Sequence, residues 1–148
     1  MTNVNGVNES GISLEELKLM FSQRDEFMKT LGIKIVDMGP GTATVSMTVR
    51  KEHLNFNGSC HGGAIFSLAD CAFGASSNTH GVMAAGIDAH IVYQAAAYVG
   101  EMLKAHSREI SRSRKIATYQ IEVQSERNGL IASFTGTVYI IGKPHCIK

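Results

Sequence analysis

Between Glu52 and Asp88 the chain carries one formally charged side chain, Asp70, within Phe66-Ser-Leu-Ala-Asp-Cys-Ala-Phe73. The surrounding segment, poor in charge and rich in Ala and Gly, reads as a buried helix. A carboxylate placed there costs several kcal/mol, to order of magnitude, unless something pairs with it. Asp70 therefore either caps a backbone group, pairs with a basic residue, or does chemistry as a nucleophile or base. The same helix opens with Cys60-His61-Gly62-Gly63. Two glycines at a helix start let a ligand approach unpaired amides that carry the positive end of the dipole, an arrangement suited to a carbonyl or oxyanion. The same glycines would also permit close packing of helix on sheet.

Gly62 and Asp70 are eight residues apart, so about 12 Å along a helix rising 1.5 Å per residue. A base or nucleophile must come within about 3–3.5 Å of the reacting atom or act through one water. One copy of the helix cannot bring its own Asp70 to a carbonyl held at its own Gly62. Two copies, antiparallel across a twofold axis, could. If both features are catalytic, the site is shared between subunits.

Other candidates are weaker. Cys60 and His61 are adjacent at a helix start, seldom face each other there, and lack a third group to orient the imidazole. Ser67 and Ser77 have no nucleophile-elbow context. His53, His80, His90, His106 and His145 lack ligand-like spacing, so no metal site is expected. Asp88 and His90, two apart on a strand, read as a structural pair. Arg108, Arg112, Arg114 and Lys115 place four of the 14 basic residues within eight positions. That cluster is either a solvated turn or a grip for phosphate groups.

The positioning elements follow from the pattern. Residues 1–12 read as a flexible leader. Ser13 and Glu16 form a capping box opening a helix whose apolar face is Leu17, Met20, Phe21, Phe27, Met28 and Leu31, with Gly32 as its stop. Strands are predicted over 33–38 and 42–49, the second alternating Val45, Met47 and Val49 with Thr44, Ser46 and Thr48. In the helix-forming segment, 60–81, Ile65, Leu68, Ala69, Ala72, Phe73 and Ser76 follow helical spacing. Strands then read over 82–94, 101–110, 116–126 and 130–141, with Asn128-Gly129 a hairpin signal between the last two. Residues 13–148 thus form one α+β domain, a long antiparallel sheet wrapped around a central helix with an additional N-terminal helix.

Composition sets the outer bounds. The 148 residues suit one domain, and the 18% charged content is below the ~25% usual for soluble domains. Part of the exterior is therefore expected to be buried in an oligomer. Fourteen basic residues against 13 acidic ones give no field for nucleic acid or an anionic membrane. No run approaches the ~18 apolar residues of a membrane span. The start lacks a signal-peptide pattern. Three cysteines separated by 11 and 75 residues fit neither a disulfide framework nor a zinc knuckle. A cytoplasmic address with reduced thiols is expected.

The run Asn55-Phe-Asn-Gly-Ser-Cys-His61-Gly-Gly-Ala-Ile-Phe-Ser-Leu-Ala-Asp70 resembles the signature of hotdog-fold acyl-CoA thioesterases, above all the phenylacetic-acid-degradation (PaaI-type) enzymes and their relatives acting on 4-hydroxybenzoyl-CoA. The likeness spans about residues 14–142, with the acid nine residues after the His and Asn55 six before it. It implies Asp70 as nucleophile or general base, and the Gly62 N–H polarising the thioester carbonyl from a second subunit. Asn55 and His61 would position the thioester or the water. It also implies a homo-oligomer, a dimer of dimers, with acyl-CoA at the subunit interface and no metal or resident cofactor, CoA being part of the substrate. Gly63, Phe66 and Phe73 are expected to line the substrate, and Arg112, Arg114 and Lys115 to meet the CoA phosphates. Some relatives carry Ser or Thr in the strand after the helix to orient water; Gly86 stands there in this chain. The expected activity is hydrolysis of a small aryl, arylacetyl or other acyl-CoA. The alternatives are a non-catalytic acyl-CoA-binding protein and a hotdog hydratase or dehydratase.

Overall fold

The computed structural model describes residue 8 and residues 10–147. Helix α1, Leu14–Arg24, starts with the expected capping box. Ser13 Oγ accepts from the Glu16 N–H at 3.2 Å, and Glu16 Oε2 accepts from the Ser13 N–H at 2.8 Å. The sequence reading of one helix up to Gly32 needs correction. Asp25 adopts an extended conformation, accepts from the Met28 N–H at 2.9 Å and so caps a second helix, α2, Glu26–Leu31. Its short carboxylate offers the backbone a partner that the helix cannot, which breaks the run. Gly32 closes α2 at φ 71°, a left-handed cap that suits glycine.

Strands β1 (Lys34–Gly39), β2 (Thr42–Thr48), β3 (Val82–Tyr93), β4 (Met102–Arg112), β5 (Ile116–Ser125) and β6 (Gly129–Pro144) form one antiparallel sheet, in the order β1-β2-β4-β5-β6-β3. Helix α3, Gly62–Ser77, packs on its concave face. Val45, Met47 and Val49 are buried while Thr44, Ser46 and Thr48 are not, as the period of two requires. Ile65, Leu68, Ala69, Ala72, Phe73 and Ser76 are all buried, the face read from helical spacing. Across from them lie Leu103, Tyr119, Ile121, Val123 and Phe134, each fully buried. The turn at Asn128-Gly129 forms with Gly129 at φ 68°. This is the hotdog architecture.

The stretch 1–12, expected as a flexible leader, is held down at its end. Asn8 and Ile12 are buried, and Asn8 Oδ1 accepts from the N–H groups of Ser10 and Ile12. Residues 1–7 and 9 lie outside the described residues. Ile12 joins Leu17 and Met20 in a second apolar cluster beneath α1.

Candidate active site

Helix α3 is uninterrupted, so Gly62 and Asp70 stay on one rod about 12 Å apart. His61 is its N-cap, and its Nδ1 accepts from the Gly63 N–H at 2.8 Å. Gly63, expected to face substrate, therefore has its amide occupied. Among the described residues nothing accepts from the Gly62 N–H, which leaves it as the available donor. The Tyr93 ring packs against Gly62, where an added Cβ would sit 3.2 Å from Tyr93 Cζ, and the Tyr93 hydroxyl donates to the Gly62 carbonyl at 3.1 Å. Sequence reading did not single out Tyr93. It lies 31 residues away on β3, and no local pattern connects the two.

Asn55 turns inward on its own loop. Its Oδ1 accepts from the N–H groups of Asn57 (2.9 Å) and Ser59 (3.2 Å), and its Nδ2 donates to Ser59 Oγ at 3.1 Å. In one copy it shapes the loop entering α3 rather than pointing at Asp70. Two further buried groups hold that entry. His53 accepts from the Arg50 N–H through Nδ1, and its carbonyl accepts from the His61 N–H at 2.7 Å. Glu101 is 6% exposed and takes three hydrogen bonds: from the Tyr98 N–H, from Ser125 Oγ at 2.8 Å and from Asn128 Nδ2 at 2.9 Å. It thereby fixes the 94–101 loop, whose Ala97 carbonyl accepts from the Cys60 N–H at 2.8 Å.

The sequence places Asp70, partly desolvated, in the middle of a buried helix. Its carboxylate is exposed, on the side of α3 turned away from the sheet. Among the described residues of one copy no backbone group and no basic side chain bonds to it. It lines a cavity of about 890 Å³ between α3, the α1–α2 elbow and residues 144–146. The walls include Met20, Phe21, Phe27, Met28 and Met83. Surrounding protein raises the Asp70 pKa above the usual carboxylate value, first by removing water and then through the charge of Asp25. Asp25, read from sequence only as part of a helix, thus both breaks that helix and faces the site.

Phe66 and Phe73, expected as acyl-pocket walls, do not line this cavity. Phe66 packs edge-on against Phe134 (5.3 Å between centroids), and Phe73 packs against Tyr119 and Phe134 in the core. Phe73 also explains Gly86. A Cβ there would lie 3.1 Å from its ring, and one at Gly136 would lie 2.7 Å from it. A Ser or Thr at position 86 would require the Phe73 ring to give way by a few tenths of an ångström.

The basic cluster is divided. Arg112 Nη1 lies 3.8 Å from Glu109 Oε2, an oxygen that also accepts from His80 Nε2 (2.8 Å) and the Tyr119 hydroxyl (2.5 Å). Arg112 therefore serves an internal network rather than an open phosphate grip. Burial raises the Glu109 pKa, but the hydrogen bonds from Tyr119 and His80, with the nearby charges, bring it below the usual value. Arg108 donates to Gln120 Oε1, while Arg114 and Lys115 stay exposed, Lys115 over the Tyr139 ring at 5.3 Å. Asp88 and His90 are exposed and make no bond to each other. Burial and then the charge of Glu101 push the Cys60 thiol up to about 11, which disfavours a thiolate nucleophile. Among the described residues no three His, Cys, Asp or Glu side chains gather as a metal site, and no helix is long and apolar enough to cross a membrane.

A sheet wrapped on one helix, with an open amide at the helix start and an unpaired acid two turns on, defines a hotdog enzyme. Comparison with known proteins gives its family. Residues 57–132 match the thioesterase superfamily model. The chain is 35% identical over 120 residues to the acyl-coenzyme A thioesterase PaaI of Escherichia coli, covering 81% of this chain and 86% of that one. The structure of E. coli PaaI superposes with a TM-score of 0.86 at 32% identity, over 88% of this chain and 95% of the other. A Thermus thermophilus protein of solved structure, TT0310, superposes at 0.75 with 43% identity, over 78% of this chain and 97% of that one. The chain belongs to the thioesterase superfamily. It is an enzyme, a thioester hydrolase.

Proposed function

We propose that the substrate is an acyl-CoA, cleaved to CoA and a carboxylic acid at a site shared by two copies of the chain. The observation that carries this is the separation, on one unbroken helix, of an open Gly62 amide from an unpaired, pKa-raised Asp70. The thioester carbonyl rests on the Gly62 N–H of one copy. Asp70 of the other either attacks it or takes a proton from an attacking water. In the attack route the Asp70 oxygen bonds to the carbonyl carbon, the carbon–sulfur bond breaks and CoA leaves as the thiolate. Water then opens the anhydride to the free acid and the Asp70 carboxylate, and the proton it releases neutralises the thiolate. A carboxylate whose pKa is raised is a stronger base than an ordinary one.

The pairing of copies is supported by β3. It ends the sheet, leaves a 12-residue edge unpaired among the described residues, and exposes Ile87, Val92 and Tyr93. Such an edge, with its free N–H and C=O groups and apolar side chains, is a ready template for pairing with a second copy. A homo-oligomer built on it, a dimer of dimers, follows the sequence expectation. The methionine and phenylalanine walls beside Asp70 suit an apolar acyl group, arylacetyl included. Exposed Arg114 and Lys115 are the remaining candidates for CoA phosphates. No resident cofactor is required, and the unpaired cysteines fit a cytoplasmic setting.

The test is CoA release, followed with a thiol reagent, from aryl, arylacetyl, short and long acyl-CoAs. Wild type should turn over, and Asp70→Asn should lose about 10²-fold or more with binding intact. Unchanged hydrolysis in the variant removes Asp70 from the mechanism. Tight binding without hydrolysis by either protein favours the non-catalytic acyl-CoA-binding reading, and formation of a hydrated acyl-CoA favours a hydratase.

A further inference from the structure

The cavity beside Asp70 has a direction. Ser67, Asp70, Gly74 and Asn78 line it from one face of α3 and its C-cap. From Asp70 to Asn78 the helix advances about 12 Å. At the Asn78 end, α1 and residues 145–147 close it. His145 Nε2 lies 2.9 Å from Asn78 Oδ1, and the His145 N–H donates to the Gly81 carbonyl at 3.1 Å. The Phe21 ring stands edge-on to His145, centroids 5.7 Å apart. Arg24, at the end of α1, donates through Nη1 to the Cys146 carbonyl (2.8 Å) and through Nη2 to the Ile147 carbonyl (3.1 Å). The C-terminal segment is thus strapped across the far end of the cavity by the residue that precedes the α1–α2 break.

We propose that this cavity is an acyl channel running from Asp70 to Asn78, and that the His145–Asn78 contact, held by Arg24, is its end wall and sets the longest acyl group accepted. The proposal rests on the acyl-CoA reading above, which places the reacting carbon at Asp70. An extended chain advances about 1.25 Å per carbon, from its ~1.5 Å bonds and staggered torsions, so 12 Å admits roughly ten carbons. Shorter acyl groups gain affinity with every methylene that finds a wall, up to about fourfold each. Beyond the limit, added methylenes must displace the strap or stay in water, and the gain stops. Arg24 and His145 are specificity residues in this scheme, remote from the reacting atoms.

The channel can be tested without turnover. Dissociation constants for straight-chain acyl-CoAs from acetyl to palmitoyl are measured by calorimetry on Asp70→Asn, then on the same protein carrying Gly74→Leu or Arg24→Met. Affinity should climb and level off near ten carbons in the parent. A Cβ at Gly74 meets nothing within 4 Å, and Gly74 lies four residues past Asp70. Leucine there should block the channel about 6 Å along and bring the limit to roughly five carbons. It also replaces a poor helix former with a good one, so folding is not at stake. Arg24→Met, which frees the strap, should move the limit to longer chains, and Arg24→Lys should partly restore it. Affinity rising without a break to palmitoyl in the parent, or one limit common to all variants, overturns the proposal. A clear limit with no hydrolysis by the Asp70 enzyme keeps the channel and removes the hydrolase mechanism. Asp70-dependent hydrolysis without a limit does the reverse, and absence of binding sinks both.

Discussion

Replacing Glu101 is the sharpest test of how the carbonyl-binding end of α3 is held. The carboxylate is 6% exposed and receives three hydrogen bonds, from the Tyr98 backbone, Ser125 Oγ and Asn128 Nδ2. Bonds to a charged acceptor are worth about 1.5–3 kcal/mol each, and a buried donor left alone costs about 1–3. Ser125 is itself 4% exposed, so its hydroxyl has little water to turn to. The three bonds share one group and do not add, which places Glu101→Ala at about 3–5 kcal/mol of lost stability. For a chain of this size that is roughly a 6–20 °C fall in Tm. Glu101→Gln keeps an acceptor but trades the other for a donor facing donors, and should lose about half as much. The readout is urea and thermal unfolding at fixed protein concentration, since a change in assembly would shift the midpoint. Because Glu101 also fixes the loop that receives the Cys60 N–H, kcat/KM of Glu101→Gln, assayed well below its Tm, should fall as well. A Glu101→Ala protein within 1 kcal/mol of wild type would refute the clamp.

Three further outcomes follow from the same geometry. Asp70 titrates above the ordinary aspartate value of 3.8, so ionised Asp70 destabilises the folded state increasingly as pH rises past that value. Its base form also appears only there. The rising limb of kcat/KM should therefore have a midpoint above 3.8, Asp25→Asn should move it to lower pH, and Asp70→Asn should unfold at higher denaturant than wild type at pH 7. Gly136→Ala would drive a methyl to 2.7–2.9 Å from three Phe73 ring atoms. Unfolding in urea should report a loss of about 1–3 kcal/mol, the usual cost of overpacking a core. Gly62→Pro removes the open amide at a first helical position where the backbone suits proline. Its Cβ would press the Tyr93 ring, at 3.2 Å from Cζ, by a few tenths of an ångström, so thermal unfolding is read first to show that the variant is folded. Alone, Gly62→Pro and Asp70→Asn should each be inactive in the CoA-release assay. Co-expressed, they should regain activity, because a mixed pair keeps one site with both groups; failure to regain it argues that each copy works by itself.

Much of this was legible in the chain itself. The capping box at Ser13 and Glu16, the stop at Gly32, the alternation of Val45, Met47 and Val49, the α3 face from Ile65 to Ser76 and the Asn128-Gly129 turn are local rules, decided by residues a few positions apart. The separation of Gly62 from Asp70 was legible too, because helix rise alone fixes it. What the sequence could not supply was the environment of each group. Asp70 looked buried because its neighbours in sequence are small and apolar, yet the helix turns those to the sheet and presents Asp70 to a cavity. Phe66 and Phe73 looked like pocket walls; the core takes in Phe73, and half-buried Phe66 packs against Phe134 at its margin. Arg112 looked free until β4 and β5 brought Glu109 and Tyr119 beside it. Asp25, Tyr93, Glu101 and His145 acquire their roles only across separations of up to 67 residues. Local periodicity determines which face of an element is apolar. Only the assembled sheet, with β3 returning to its far edge and residues 144–147 lying between α1 and α3, decides what each face meets.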